Sequence, residues 1–272
     1  MLSLSQHSSV GPFSSLIPSQ WKGAHITPIP KVQQPLVPSD YRPISITSVL
    51  GRVFEKMIVR QFIYPALNDA YLQRDLADQF AFRPTGSTTA AVISLLNKIT
   101  SMLESNQYVR VIALDFSKAF DSIRHSELSR KLSTVPIGDQ VYNWIINYID
   151  NRYHCTKFNG KLSQPAHVNA SVVQGSAIGP MSFIITARVL KPTTAGNDMI
   201  KYADDTYLLV SSCNDNTVGN ELANISRWAE INNLQLNRKK SQKIIFYKSR
   251  PTLFPPPLDD IVRVEQLNVL GV

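Results

Sequence analysis

Cysteine is nearly absent from this chain: Cys155 and Cys213 are the only two among 272 residues. Two cysteines at that separation form neither a disulfide framework nor a zinc-type spacing. Both are expected to be reduced packing residues of an intracellular protein. No apolar run approaches the roughly 18 residues that cross a bilayer, so no membrane-spanning helix is expected. The opening Met1-Leu-Ser-Leu-Ser-Gln-His-Ser-Ser9 has no basic segment leading into an apolar core, and no secretory leader is expected. No internal repeat is visible, which argues against a solenoid.

Acid is the scarcer charge. The chain has 20 Asp and Glu against 28 Lys and Arg, a net charge of +8. A basic surface favours polyanions, nucleic acid first and anionic membrane second. Hydrophobic content of 43% and charged content of 18% are ordinary for a globular protein. The length suffices for one large domain or two lobes.

Against that scarcity, two adjacent carboxylates stand out in Met199-Ile-Lys-Tyr-Ala-Asp-Asp-Thr-Tyr-Leu-Leu-Val210. The flanking segments read as strands, and Asp204-Asp205 reads as the turn of a hairpin. Two negative charges at a hairpin tip repel, and the arrangement makes sense around a doubly positive ion; oxygen ligands of this kind suit Mg²⁺. A single hairpin cannot cage the ion. A third carboxylate stands at the end of another predicted strand, Val109-Arg-Val-Ile-Ala-Leu-Asp115. The bland alternative is a strand cap at Asp115 and a solvated turn at the pair.

In chain order, residues 1–20 are expected to be loosely held. Ala24–Lys31 alternates like an edge strand, because its prolines argue against a central one. Tyr41–Ile46 reads as the returning strand. A helix follows from Thr47 or Ser48, with Val49, Leu50, Val53, Phe54, Met57, Ile58 and Phe62 on one stripe. Ser87 caps a second helix that buries Ala91, Leu95, Ile99 and Met102. Further helices are expected near 126–132 and 140–149. Asn159-Gly160 predicts a hairpin between Cys155–Phe158 and a strand near 168–173. Gln174-Gly175-Ser176 opens another helix. One more runs through Leu222, Ile225 and Trp228, before a basic strand, Lys243–Lys248. Mixed helices and strands without strict βαβ alternation predict an α+β fold, an antiparallel sheet with helices on one face.

Six blocks occur in a fixed order: Tyr41-Arg-Pro-Ile-Ser45; Gln79-Phe-Ala-Phe-Arg83 with Ser87-Thr88; Leu114-Asp-Phe-Ser-Lys-Ala-Phe-Asp121; Gln174-Gly-Ser176; Tyr202-Ala-Asp-Asp205; and Leu236-Asn237 leading to Lys240-Ser241. This series resembles the reverse transcriptase domain of a non-LTR (LINE-type, jockey-like) retrotransposon from about Trp21 onward. The resemblance implies right-hand polymerase fingers and palm: fingers at 21–107 and palm at 108–272, with 126–170 packing against the fingers. A thumb is missing from the expected architecture and no endonuclease precedes it, so the chain is expected to be a truncated copy.

The resemblance also implies RNA-directed DNA polymerase chemistry, a nucleotidyl transfer with two Mg²⁺ ions and Mn²⁺ as an alternative. Asp115, Asp204 and Asp205 would be the catalytic metal ligands, Asp205 the least direct. Lys31 and Arg42 would close over the triphosphate from the fingers. Phe120 would lie under the nucleotide sugar and exclude a 2′-hydroxyl, with a core Phe the alternative. Gln174 and Gly175 would line the nucleotide pocket, with a helix-capping turn the alternative. Lys240 would protonate or neutralise the leaving pyrophosphate. Arg238, Lys239 and Lys243 would contact nucleic acid, or form a solvated face. Asp121 and His125 are read as holding the turn after Asp115 and the helix that follows. The family usually has Pro at Val173, Gly at Ala81 and an Asn-Asp pair near Ala187-Arg188-Val189, departures that fit a drifting copy. The implied partners are RNA template, DNA primer and deoxynucleoside triphosphates, with no membrane partner, in a nuclear or cytoplasmic ribonucleoprotein; oligomeric state is left open. Two alternatives stay open, an inactive or domesticated RNA-binding remnant and an RNA-templated RNA polymerase.

Overall fold

The computed structural model describes residues 17–117, 123–168, 175–249, 254–258 and 260–272. After a short helix, α1 (Ser19–Lys22), strands β1 (Gly23–Pro30) and β2 (Tyr41–Thr47) pair antiparallel from Ala24↔Thr47 to Pro30↔Tyr41. The prolines of β1 predict an edge strand, yet β1 is internal, with β5 (Arg152–Phe158) parallel on its other side. The position of the prolines reconciles the two. Strand β5 pairs only with Gly23–Ile26, so Pro28 and Pro30 lie where no strand on that side requires an N–H.

The Asn159-Gly160 turn forms as expected, with φ of 48° and 74°, both positive as a type I′ hairpin requires. Its second strand is earlier and shorter than expected: β6 is Lys161–Leu162, and β7 (Ala166–Val168) then pairs back onto Arg152–His154. Residues 169–173 of the expected partner lie outside the described residues.

Ser48 caps α2 (Val49–Ile58) by accepting from Gly51 N at 3.4 Å. Ile58 of the predicted stripe is buried, and Phe54 and Phe62 pack on the core. Val49, Leu50 and Val53 are exposed, because Gly51 and Glu55 take the inward positions of the first turns. The helix widens into a π turn at Val59–Ile63, then continues as α3 (Tyr64–Leu67) and α4 (Ala70–Asp75).

The second sheet has the order β12 (Val262–Arg263), β11 (Gln242–Tyr247), β3 (Tyr108–Leu114), β9 (Asp205–Ser211) and β8 (Asp198–Tyr202). Its centre, β3, is nearly all apolar because both faces are covered. On one face α5 (Thr88–Ser105), capped by Ser87 through Ala90 N, sets Ala91, Leu95 and Ile99 against Val109, Val111 and Leu209. On the other, Ile112, Leu114, Leu208 and Val210 join a larger core with α8 (Ile178–Ala187) and α9 (Val218–Ile231). Helices α6 (His125–Leu132) and α7 (Asp139–Ile149) contribute Leu128, Leu132, Trp144 and Ile145 to that core. The α+β class stands, but helices cover both faces of this sheet rather than one. Cys155 is buried as expected; Cys213 is exposed, and both are free thiols.

Candidate active site

Strands β8 (Asp198–Tyr202) and β9 (Asp205–Ser211) form the expected hairpin, closed by the pair Tyr202↔Asp205. The turn is therefore Ala203-Asp204, and Asp205 is the first residue of β9 rather than half of an Asp-Asp turn. Ala203 has φ of 56° and Asp204 does not share that sign. A positive φ at only the first central position is the type II′ pattern, where glycine is usual, so Ala203 is held in a strained conformation.

The register of β3 on β9 runs from Val109↔Ser211 to Leu114↔Thr206. One step beyond the last pair stand Asp115, directly after β3, and Asp205, the first residue of β9, with Asp204 at the turn. The three carboxylates act on one another electrostatically. Burial pushes the Asp204 carboxyl above the usual carboxylate range, and the charge of Asp115 adds to the shift. Asp205 is exposed at its surface, yet the surrounding protein raises its carboxyl as well, with Asp204 and then Asp115 contributing.

As placed, no three His, Cys, Asp or Glu side chains among the described residues form a cluster that could hold a metal ion. The backbone brings three carboxylates to one corner without gathering them as ligands. Their donor chemistry still fits a hard divalent cation: all oxygen, with a mutual repulsion that a cation would relieve.

The main chain of Asp115 is held from the far end of the sequence. Its N–H donates to Ser241 Oγ at 3.1 Å and its carbonyl accepts from Asn237 N at 2.8 Å. Ser241 Oγ donates in turn to Asn237 O at 2.9 Å. Just before this turn, β10 (Gln235–Leu236) pairs with β4 (Phe116–Ser117), which follows Asp115 directly. Arg238, Lys239 and Lys240 are all exposed on the turn itself. The position of Ser241 beside Lys240 in the sixth sequence block was the available hint to its role.

Lys243 does not join them. It lies on β11 (Gln242–Tyr247) opposite Ile112, beside the edge strand β12 (Val262–Arg263). That places it on the covered face, buried, with Nζ lacking a hydrogen-bond partner among the described residues. Burial, then the nearby Arg110 and Arg263, depress its pKa. A nucleic-acid contact from Lys243 is thereby set aside. Alternation along a basic strand buries one residue in two, and the sequence did not reveal which.

In the first sheet, Lys31 follows β1, where its N–H donates to Asp40 O and its Nζ to Ser39 O at 2.9 Å. Arg42 is exposed on β2 opposite Ile29. Gly175 has φ of 98°, and a Cβ there would stand 3.1 Å from Ser45 O of β2. Close backbone approach thus requires glycine at this position. Phe120, Asp121 and Gln174 lie outside the described residues; His125 begins α6.

Glu55 is a buried carboxylate that no sequence motif marks. It accepts from Ala177 N at 3.0 Å and Ile178 N at 3.4 Å, at the start of α8, and from the Tyr148 hydroxyl. Burial pushes its carboxyl up, while these donors and the charge of Arg152 pull it back. The segment after Gly175 is thereby tied to α2 and α7.

A hairpin with carboxylates at its tip, a third carboxylate on the adjoining strand, and a second sheet alongside define a fingers-and-palm polymerase fold. Solved telomerases share it. Telomerase from Candida tropicalis in complex with a TWJ fragment of telomeric RNA matches with a TM-score of 0.59 at 11% identity, over 84% of this chain and 42% of that one. The Candida albicans enzyme matches with a TM-score of 0.55 at 13% identity, over 87% and 44%. Within that class, the chain belongs to the reverse transcriptase (RNA-dependent DNA polymerase) family, which it matches over residues 29–272. Its relatives are polymerases of non-LTR retrotransposons. A probable RNA-directed DNA polymerase from transposon BS of Drosophila melanogaster is 29% identical over 94% of this chain and 30% of its own length. The polymerase of mobile element jockey, from the same organism, is 26% identical over 84% and 26%. The Pol polyprotein of the R2 element of Popillia japonica is 25% identical over 84% and 33%. The chain spans about a third or less of the length of these relatives.

Proposed function

We propose that this chain is the fingers and palm of an RNA-directed DNA polymerase, joining deoxynucleotides to a primer 3′-hydroxyl on an RNA template. The observation that supports the proposal is the β3–β9 ladder, which ends at Leu114↔Thr206, so that Asp115 and Asp205 follow at its end beside the Asp204 turn. Asp115 and Asp204, with Asp205 less directly, would hold the divalent ions. Such ions lower the pKa of the attacking hydroxyl and neutralise charge developing on the triphosphate. Residues 21–107 are assigned to the fingers and 108–272 to the palm.

Within this reading, Arg42 offers a planar fork for phosphate and Lys31 a point charge, both from the β1–β2 hairpin. Gly175 lets the backbone approach closely where Gln174 would line the nucleotide, and Phe120 would exclude a ribose 2′-hydroxyl. Lys240, on the turn that holds Asp115, would deliver a proton to the leaving pyrophosphate. Arg238 and Lys239, exposed on that turn, would meet nucleic-acid phosphates in an intracellular ribonucleoprotein.

The test is primer extension by this chain on an RNA template with Mg²⁺. Deoxynucleotides are expected to be incorporated and ribonucleotides rejected, with loss of extension in Asp204→Asn. Equal use of both nucleotides, or extension that survives Asp204→Asn, would overturn the proposal.

A further inference from the structure

The Ala203-Asp204 turn does not stand on its own strands alone. A strap, Asp78-Gln-Phe80, runs beside β8 and bridges to it at Gln79↔Lys201. Lys201 N donates to Asp78 O at 2.7 Å, and Phe80 N to Lys201 O at 2.9 Å. Beneath the strap the Lys201 ammonium is fully buried, donating to Ala187 O and Leu190 O at 2.9 Å and lying 3.2 Å from the Asp78 carboxylate.

Gln79 carries the strap to the turn itself. Its side chain is buried, and Oε1 accepts from two main-chain donors, Ala81 N at 3.0 Å and Ala203 N at 3.1 Å. Two backbone N–H groups on one oxygen fix which end of the amide faces the turn. Ala203 is the residue whose φ of 56° an L-amino acid adopts only under constraint. The hairpin's own ladder closes at Tyr202↔Asp205 and leaves that N–H outside its pairing among the described residues.

We propose that Gln79 is a positioning residue for Asp204: its amide oxygen holds the Ala203 N–H and so keeps the strained turn that aims this carboxylate. The role toward Asp204 rests on the polymerase reading of that residue. The clamp itself does not, and it can be measured without metal or substrate.

The experiment is residue-resolved amide hydrogen exchange and backbone chemical shifts on the full chain, free of metal. Gln79→Met keeps the volume and removes the acceptor; Gln79→Glu keeps an acceptor in place. In Gln79→Met the Ala203 amide is expected to exchange about tenfold faster or more, with shifts moving at Asp204 and Asp205, while Val111 and Leu209 at the sheet centre stay protected. Gln79→Glu should retain the protection. Adding Ala203→Gly to Gln79→Met should return the Asp204 and Asp205 shifts toward wild type, because glycine adopts the positive φ without strain. If Gln79→Met proves too unstable, Gln79→Asn withdraws the oxygen by one methylene and serves the same comparison. Unchanged exchange at Ala203, or equal acceleration across the whole sheet, would overturn the proposal. A wild-type result here combined with loss of extension in Asp204→Asn would separate failure of the clamp from failure of the polymerase reading.

Discussion

Asp204 and Asp205 pay for their position in stability. Both carboxyls are raised, so the fold favours their protonated forms. Their favourable contribution is complete below the ordinary carboxylate pKa, about pH 4, and is lost as pH rises through the raised values. At neutral pH without metal the ionised pair opposes folding. Asp204→Asn is therefore expected to raise Tm at neutral pH in a chelator, with the gain shrinking toward acid pH. Mg²⁺ should raise the wild-type Tm and leave the variant nearly unmoved. A lower Tm for Asp204→Asn under those conditions would count against the strain. Lys243 makes a parallel case with the opposite charge. Its depressed pKa means that it stabilises the fold only above its ordinary pKa, so Lys243→Met should cost little stability and leave RNA binding unchanged. Arg238→Ala and Lys239→Ala should instead weaken RNA binding across sequences, each reducing the salt slope by about 1. A filter-binding series over salt checks both expectations. These two sites also mark where the sequence was legible. Adjacent carboxylates between apolar strands announce themselves locally, whereas the burial of Lys243 depends on its pairing with Ile112, a partner distant in sequence.

Among the elements, those built by short-range chemistry were readable in advance. Ser87 capping α5, Asn159-Gly160 turning the β5–β6 hairpin and the strands flanking Asp204 all follow from neighbouring residues. What escaped was pairing between distant segments: β5 running parallel to β1, β10 closing on β4, and the Asp78–Phe80 strap. The exposed first turns of α2 escaped because periodicity identifies an apolar stripe without saying what covers it. The strap in turn depends on Gly86, where a Cβ would stand 1.9 Å from Phe80 O. Gly86→Ala must displace Phe80, and a cost of about 1–3 kcal/mol is expected, with the hairpin amides losing protection along with the strap. Denaturant unfolding reads the first and hydrogen exchange the second. At the other junction, Tyr148→Phe removes a donor from the buried Glu55 carboxylate at the start of α8. Leaving that acceptor short should cost about 1–3 kcal/mol. A stability change near zero would mean that Ala177 N and Ile178 N satisfy Glu55 without it.

Across the whole molecule, the two cores cover the two faces of the sheet centred on β3, and the carboxylates stand at the end of that sheet. A rigid platform of this kind is what a metal site needs if its ligands come from separate strands. Near the end of the sequence Val269 and Leu270 pack against the smaller core, while Val272 is exposed. Binding carried by phosphate contacts weakens as salt rises, so nucleic-acid binding by this chain is expected to fall steeply with salt. The measurement that bears most directly on the account counts Mn²⁺ bound to the chain by electron paramagnetic resonance, in wild type and in Asp115→Asn and Asp204→Asn. If β3 and the hairpin share a metal site, each single substitution should weaken the same binding event by about tenfold or more. If Asp204→Asn lost the ion while Asp115→Asn bound it as well as wild type, the two strand ends would not form one site, and the account would be contradicted.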